Sequence, residues 1–195
     1  MNEPLPADHD TATFEGAITL PHDQPIFLVG MMGAGKTTIG RLLARILDRQ
    51  FVDIDHELEA RCGVRVSLIF DIEGEEGFRR REAAMLDEWS HCSGVVIATG
   101  GGAVLAAENR RCLKERGIVV YLRANGDELY RRVGRDRNRP LLQTSDPRAR
   151  IAALLKEREP LYEEVAHLTL DTGAMPAQQV VRTLIPLLQN YEHEI

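Results

Sequence analysis

A chain of 195 residues, 44% hydrophobic and 28% charged, can build one continuous core and has the make-up of an ordinary globular protein. Its formal net charge of −6 argues against a nucleic-acid binder, which carries a basic footprint, and no apolar run approaches a membrane span. Cys62, Cys92 and Cys112, widely spaced and without a C-x-x-C pair, read as reduced thiols of a cytoplasmic protein.

The first 24 residues carry Glu3, Asp8, Asp10, Glu15 and Asp23 with Pro4, Pro6 and Pro21, and no lysine or arginine. A secretory signal needs a basic start and an apolar middle, and a transit peptide is basic, so neither fits. The composition predicts a disordered acidic leader over 1–24, with 14–20 able to dock as a short strand or loop, and a single domain over 25–195. That domain opens on four apolar residues, Ile26, Phe27, Leu28 and Val29, which run into Gly30, Gly33, Gly35, Lys36 and Thr37. This is the G-x-x-x-x-G-K-[ST] phosphate loop between a buried strand and a helix. Its glycines let successive N–H groups face one concavity, the helix adds its positive end, Lys36 reaches the β/γ-phosphates, and the Thr37 hydroxyl suits Mg²⁺.

Leu42, Leu43, Ile46 and Leu47 continue an amphipathic helix. A short strand at 51–53 then ends in Asp53 and Asp55, and a helix to about Arg61 closes at Gly63. A short helical piece over 66–70 ends at Gly74, and a longer helix over 75–89 turns Phe78, Met85, Leu86 and Trp89 inward. Val95, Val96, Ile97 and Ala98 predict a central strand buried on both faces, followed by Thr99-Gly100-Gly101-Gly102. Further helices are expected at 106–116, 127–133, 148–157 and 161–165, strands at 118–122 and 168–170, and a last helix opened by Pro176. Strands alternating with helices imply a three-layer α/β/α fold around a five-stranded parallel sheet, with ligands beyond the strands' carboxyl ends.

Two carboxylates at one strand end can divide the work of a phosphotransferase, one near the metal and one accepting the proton of the attacking hydroxyl. Aspartates also cap helices, and Asp55 stands where a cap is expected. Three consecutive glycines are costly in entropy, so Gly100, Gly101 and Gly102 point to a close approach of backbone to something else. Arg79, within Arg79-Arg80-Arg81, and Arg158 are each either a solvated face or a planar partner for a carboxylate. Residues 134–147, with Gly134, Arg135, Arg137, Arg139, Pro140 and Pro147, have the composition of a lid that excludes water.

Together these stretches resemble the shikimate kinase family, of the nucleoside-monophosphate-kinase-like P-loop enzymes. The carriers are GMMGAGKTTIGRLLA at Gly30, FVDIDHELE at Phe51, EEGFRRRE at Glu75, IATGGGAV at Ile97, RNRPLL at Arg137 and KEREPLYEEVA at Lys156. The resemblance covers about 25–189 and implies phosphorylation of shikimate by ATP, giving shikimate 3-phosphate in aromatic amino-acid biosynthesis. It implies that Gly33, Ala34, Gly35, Lys36, Thr37 and Thr38 hold the ATP phosphates and that Thr37 with Asp53 serves Mg²⁺. It further implies that Asp55 meets the acceptor hydroxyl and takes its proton, and that Arg79 and Arg158 hold the shikimate carboxylate. The Gly101 backbone would meet the ring, Arg139 the ATP, and 171–176 would lie near the adenine. A monomer without nucleic-acid or membrane partners is expected. A gluconate kinase shares the loop and lid, and a nucleotide-binding module without turnover shares the loop; T-G-G-G and R-P-L-L favour shikimate over the first, and intact Lys36, Thr37, Asp53 and Asp55 oppose the second.

Overall fold

A computed structural model of the protein describes residues 18–134 and 140–191. Five strands, β1 (Ile26–Val29), β2 (Gln50–Asp53), β3 (Val95–Ala98), β4 (Ile118–Arg123) and β5 (Leu168–Asp171), form one parallel sheet in the order β2-β3-β1-β4-β5. β1, β3 and β4 are apolar without alternation because both of their faces are covered. β5, at the edge, alternates between half-buried and exposed residues.

Handedness assigns the helices to faces. From β1 the chain crosses by α1 (Lys36–Ile46) to β2 on one side, whereas β3 crosses by α4 (Ala107–Arg116) to β4 on the other. Right-handed crossovers therefore put α1 and α4 on opposite faces. α7 (Ala177–Gln189) packs with α1, while α3 (Val66–Trp89) and α6 (Pro147–Val165) pack with α4. The strand order reverses beside β1, so a crevice opens at its carboxyl end, where the glycine loop begins. α2 (Ile54–Cys62) and α5 (Gly126–Val133) flank that crevice.

Two elements differ from the pattern expected of them. α6 runs unbroken through Pro160, where two helices were expected. Ile151, Leu154, Arg158, Tyr162 and Val165 are buried at spacings of three and four, so one face is held to the body along the whole length. That anchorage outweighs the single hydrogen bond that proline removes. The helical pieces on either side of Gly74 form one element, α3, with its kink at Gly74 (φ 70°, ψ −179°). Phe70 and Phe78 meet across the kink with ring centroids 4.6 Å apart. Short 3-10 turns at Ala103–Leu105 and Pro140–Leu142 were not apparent in the sequence pattern.

The segment before β1 is attached to the body. Leu20 is buried, Arg49 donates to the carbonyls of His22 and Gln24, Gly94 N donates to Asp23 O at 2.7 Å, and His22 Nε2 lies 2.9 Å from Tyr191 O. These contacts lie on the leader side of the expected boundary at 24/25. Residues 1–17, the greater part of the expected acidic leader, lie outside the described residues, as do 135–139 of the expected lid. The described remainder of that lid is anchored: Leu142 is buried, and Asp146 caps α6 by accepting from Ala149 N. No described helix is long and apolar enough to cross a membrane.

Candidate active site

Two cavities meet at the carboxyl ends of β1, β2 and β3. The larger, about 570 Å³, runs along the glycine loop and the start of α1, with Asp53, Arg132, Thr172 and Met175 on its walls. Gly35 precedes α1 with φ 97°, a left-handed value that favours glycine, and no side chain caps the helix. A Cβ at Gly30 would fall 2.6 Å from Leu122 O, so the loop lies too close to β4 for any larger residue. The first N–H groups of α1 therefore face the cleft without a side-chain cap, which makes an anion site. Lys36 Nζ donates to Gly30 O at 2.8 Å and to Met31 O at 3.0 Å, so the ammonium is held over the loop it would serve.

Asp53 closes the α2 side of the larger cavity. It is the last residue of β2 and the N-cap of α2, accepting from the N–H groups of Asp55 and His56. Its other oxygen accepts from Thr37 Oγ1 at 2.6 Å. The capping role left open for Asp55 thus belongs to Asp53, because the extended geometry of an N-cap (φ −114°, ψ 116°) falls at the end of the strand. Asp55, two residues on, lines both cavities. His56 is a solvated first-turn residue with Nδ1 4.0 Å from Asp53 Oδ2.

The smaller cavity, about 280 Å³, is lined by Asp55, Phe70, Phe78, Arg79, Glu82 and Arg158, with the three glycines and Leu141. Arg79 is neither a solvated face nor unengaged. Its Nη1 donates to Glu82 Oε2 at 2.7 Å, its Nη2 to Glu75 Oε1 at 3.2 Å, and its guanidinium lies 5.2 Å from the Phe78 ring centroid. Arg158 is 2% exposed, and its Nε and Nη1 have no hydrogen-bond partner among the described residues; Arg79 Nε is in the same state. A buried guanidinium with open donors costs free energy until an anion meets it. The two arginines and Asp55 thus suit a small acceptor bearing a carboxylate and hydroxyls.

Glu82, fully buried, escapes the sequence pattern: a glutamate inside an acidic and arginine-rich helix reads as solvated. Its spacing was the available signal, since it lies on the inward face with Phe78, Met85 and Leu86. Burial pushes its carboxyl above the ordinary range, opposed by the neighbouring Arg79. Arg79 itself is disfavoured as a cation by burial, yet Glu82 and Glu75 more than compensate and keep it charged. Two glycines of the triplet, Gly100 and Gly102, are explained here. A Cβ at Gly100 would fall 2.0 Å from Glu82 Oε1, and one at Gly102 would fall 2.1 Å from Arg79 Nη2. The close approach expected of these glycines is made by the protein's own Arg79–Glu82 pair.

Two further residues were not singled out from the sequence. The hydroxyl of buried Tyr162 donates to Gly101 O, and Tyr162 sits one helical turn after Arg158 on α6, stacked on Tyr121 with centroids 5.1 Å apart. One face of α6 therefore fixes Arg158 and the glycine turn together. Arg132 donates to Gly33 O at 2.9 Å and to Gly173 O, joining the phosphate loop to the 171–176 segment expected near the base. Arg139, expected over the phosphates, lies outside the described residues. Gly33, Ala34, Gly35, Lys36, Thr37 and Thr38 all line the larger cavity, and Gly101 lines both.

Comparison with known proteins identifies the family of the chain. The family model for shikimate kinase matches residues 32–189. The chain is 64% identical over 197 residues to a shikimate kinase of Bordetella pertussis, covering 98% of this chain and 93% of that protein. It superposes with a TM-score of 0.83 on shikimate kinase from Acinetobacter baumannii in complex with shikimate, at 48% identity, covering 85% of this chain and 92% of that one. A gluconokinase from Sinorhizobium meliloti, 17% identical with a TM-score of 0.58 over 86% of this chain and 92% of that one, shares the fold alone. With the family model spanning most of its length and close relatives matching nearly end to end, the chain belongs to the shikimate kinase family.

Proposed function

We propose that this protein transfers the terminal phosphoryl group of ATP to shikimate, releasing ADP and shikimate 3-phosphate in aromatic amino-acid (chorismate) biosynthesis. The observation that carries the reading is buried Arg158, which has two nitrogens without a hydrogen-bond partner among the described residues and lines a small cavity joined, at Asp55, to a phosphate-loop cleft.

Lys36, Thr37, Thr38 and the N–H groups of residues 33–38 hold the triphosphate, with Arg139 completing the enclosure. Arg79 and Arg158 grip the shikimate carboxylate, and Gly101 abuts the ring. Asp55 orients the acceptor hydroxyl and accepts its proton as oxygen attacks phosphorus. No covalent enzyme intermediate is needed, and the work is alignment and charge stabilisation. The Thr37 hydroxyl and Asp53 carboxylate, 2.6 Å apart, are hard oxygen donors suited to Mg²⁺. Thr37 and Asp53 would hold Mg²⁺, which would supply charge neutralisation for the transfer. The protein is further proposed to be a cytoplasmic monomer with a single domain over 25–195. Three unbridged cysteines support the reducing compartment.

An assay coupled to ADP release, run with shikimate, gluconate and nucleoside monophosphates, tests the reading. Turnover is expected with shikimate alone. Turnover with gluconate and not shikimate would overturn it, and nucleotide binding without turnover on any acceptor would make the protein a binding module.

A further inference from the structure

The residues that line both cavities are Met32, Asp55, His56 and Gly101. The transferred phosphoryl group must cross there, since one cavity takes the donor and the other the acceptor. Among the described residues, Lys36 and Arg132 line the donor cleft alone, and Arg79 and Arg158 the acceptor cavity alone. At the junction itself the phosphoryl group passes the carboxylate of Asp55, with Asp53 beside it. Met32 offers an apolar side chain and Gly101 none. His56 is the one side chain of the four with an N–H to donate, and an imidazole has that N–H in either protonation state. Its ring is 56% exposed and hence free to turn, and Nδ1 lies toward Asp53 at 4.0 Å, leaving Nε2 on the opposite side of the ring.

We propose that His56 is a binding residue for the phosphate of the product, donating to it at the junction of the two cavities and favouring phosphorylated over unphosphorylated acceptor. The inference rests on the functional reading above. His56→Leu removes the donor at similar size, and His56→Gln keeps one. Calorimetric titration of wild type and both variants with shikimate and with shikimate 3-phosphate gives the test, with thermal melting beside it.

His56→Leu is expected to weaken shikimate 3-phosphate by about tenfold while shikimate changes by less than about twofold, and His56→Gln to restore most of the loss. Equal losses for both ligands in His56→Leu would make His56 a structural residue and overturn the proposal. So would an unchanged product affinity with wild type binding both ligands. Wild type that binds neither ligand would instead overturn the functional reading with it.

Discussion

Arg158 and Arg79 show how differently two arginines can be held in one pocket. Arg79 is tethered by Glu82 and Glu75, whereas Arg158 is buried with two nitrogens open. Arg79 needs its planar fork, because one terminal nitrogen serves Glu82 and the other Glu75 while the guanidinium lines the pocket. Arg79→Lys should raise the shikimate KM by about tenfold or more with the ATP KM little changed, and Gly102→Ala, which drives a methyl into that guanidinium, should do the same. Steady-state kinetics with each substrate varied checks both, and an unaltered shikimate KM in either would separate that residue from the acceptor. Asp55→Asn should lower kcat by about 10²- to 10⁴-fold while the melting temperature holds, since Asp53 and not Asp55 caps α2. Near-normal turnover would remove Asp55 as the proton acceptor. Most of these residues could be found in the sequence because their types are rare in those settings: paired acids after a strand, a glycine triplet, arginines beside aromatics. Glu82 had only its spacing on the Phe78, Met85 and Leu86 face as a signal, because its burial also depends on Gly100, 18 positions away, having no side chain.

At the scale of elements, the sequence marks where helices start more clearly than where they persist. Gly35, Gly63 and Gly74 mark helix ends or breaks through positive φ, and all were expected from composition alone. Pro160 misleads because a proline reads as a stop unless the buried face beyond it is known to be continuous with the face before. The kink in α3 is the more consequential local feature. It lets Phe70 and Val66 from one half, and Phe78, Arg79 and Glu82 from the other, line one cavity. A methyl at Gly74 would meet nothing within 4 Å, so the cost of Gly74→Ala is purely conformational. It should destabilise by about 1–3 kcal/mol in urea unfolding, and weaken shikimate more than ATP as the halves realign. A loss near zero would mean that the kink is supported by its surroundings, such as the Glu73–Arg81 ion pair that spans it.

For the whole molecule, the parallel sheet and its crevice followed from the alternation of apolar runs and amphipathic stretches, and the strand order put the glycine loop at the switch point. The attachment of the segment before β1 did not follow, because it depends on distant backbone carbonyls finding Arg49, Gly94 and Tyr191. Deleting residues 1–17 should leave the melting temperature within about a degree, while deleting 1–24 should lower it by several, since buried Leu20 and the Arg49 bonds are lost together. Scanning calorimetry of the two truncations decides it. Equal melting temperatures would show that the strap adds nothing to the body.

The Arg79–Glu82 pair and the glycines it leans against also limit how this chain can change. Neither arginine nor glutamate fits beside a side chain at 100 or 102, and neither glycine is needed once the pair is gone. Selection from a library randomised at positions 79, 82, 100 and 102 should therefore return the four natural residues as a block or a jointly altered set. Stepwise paths through single changes would be closed, leaving this corner of the acceptor pocket slow to drift toward another substrate.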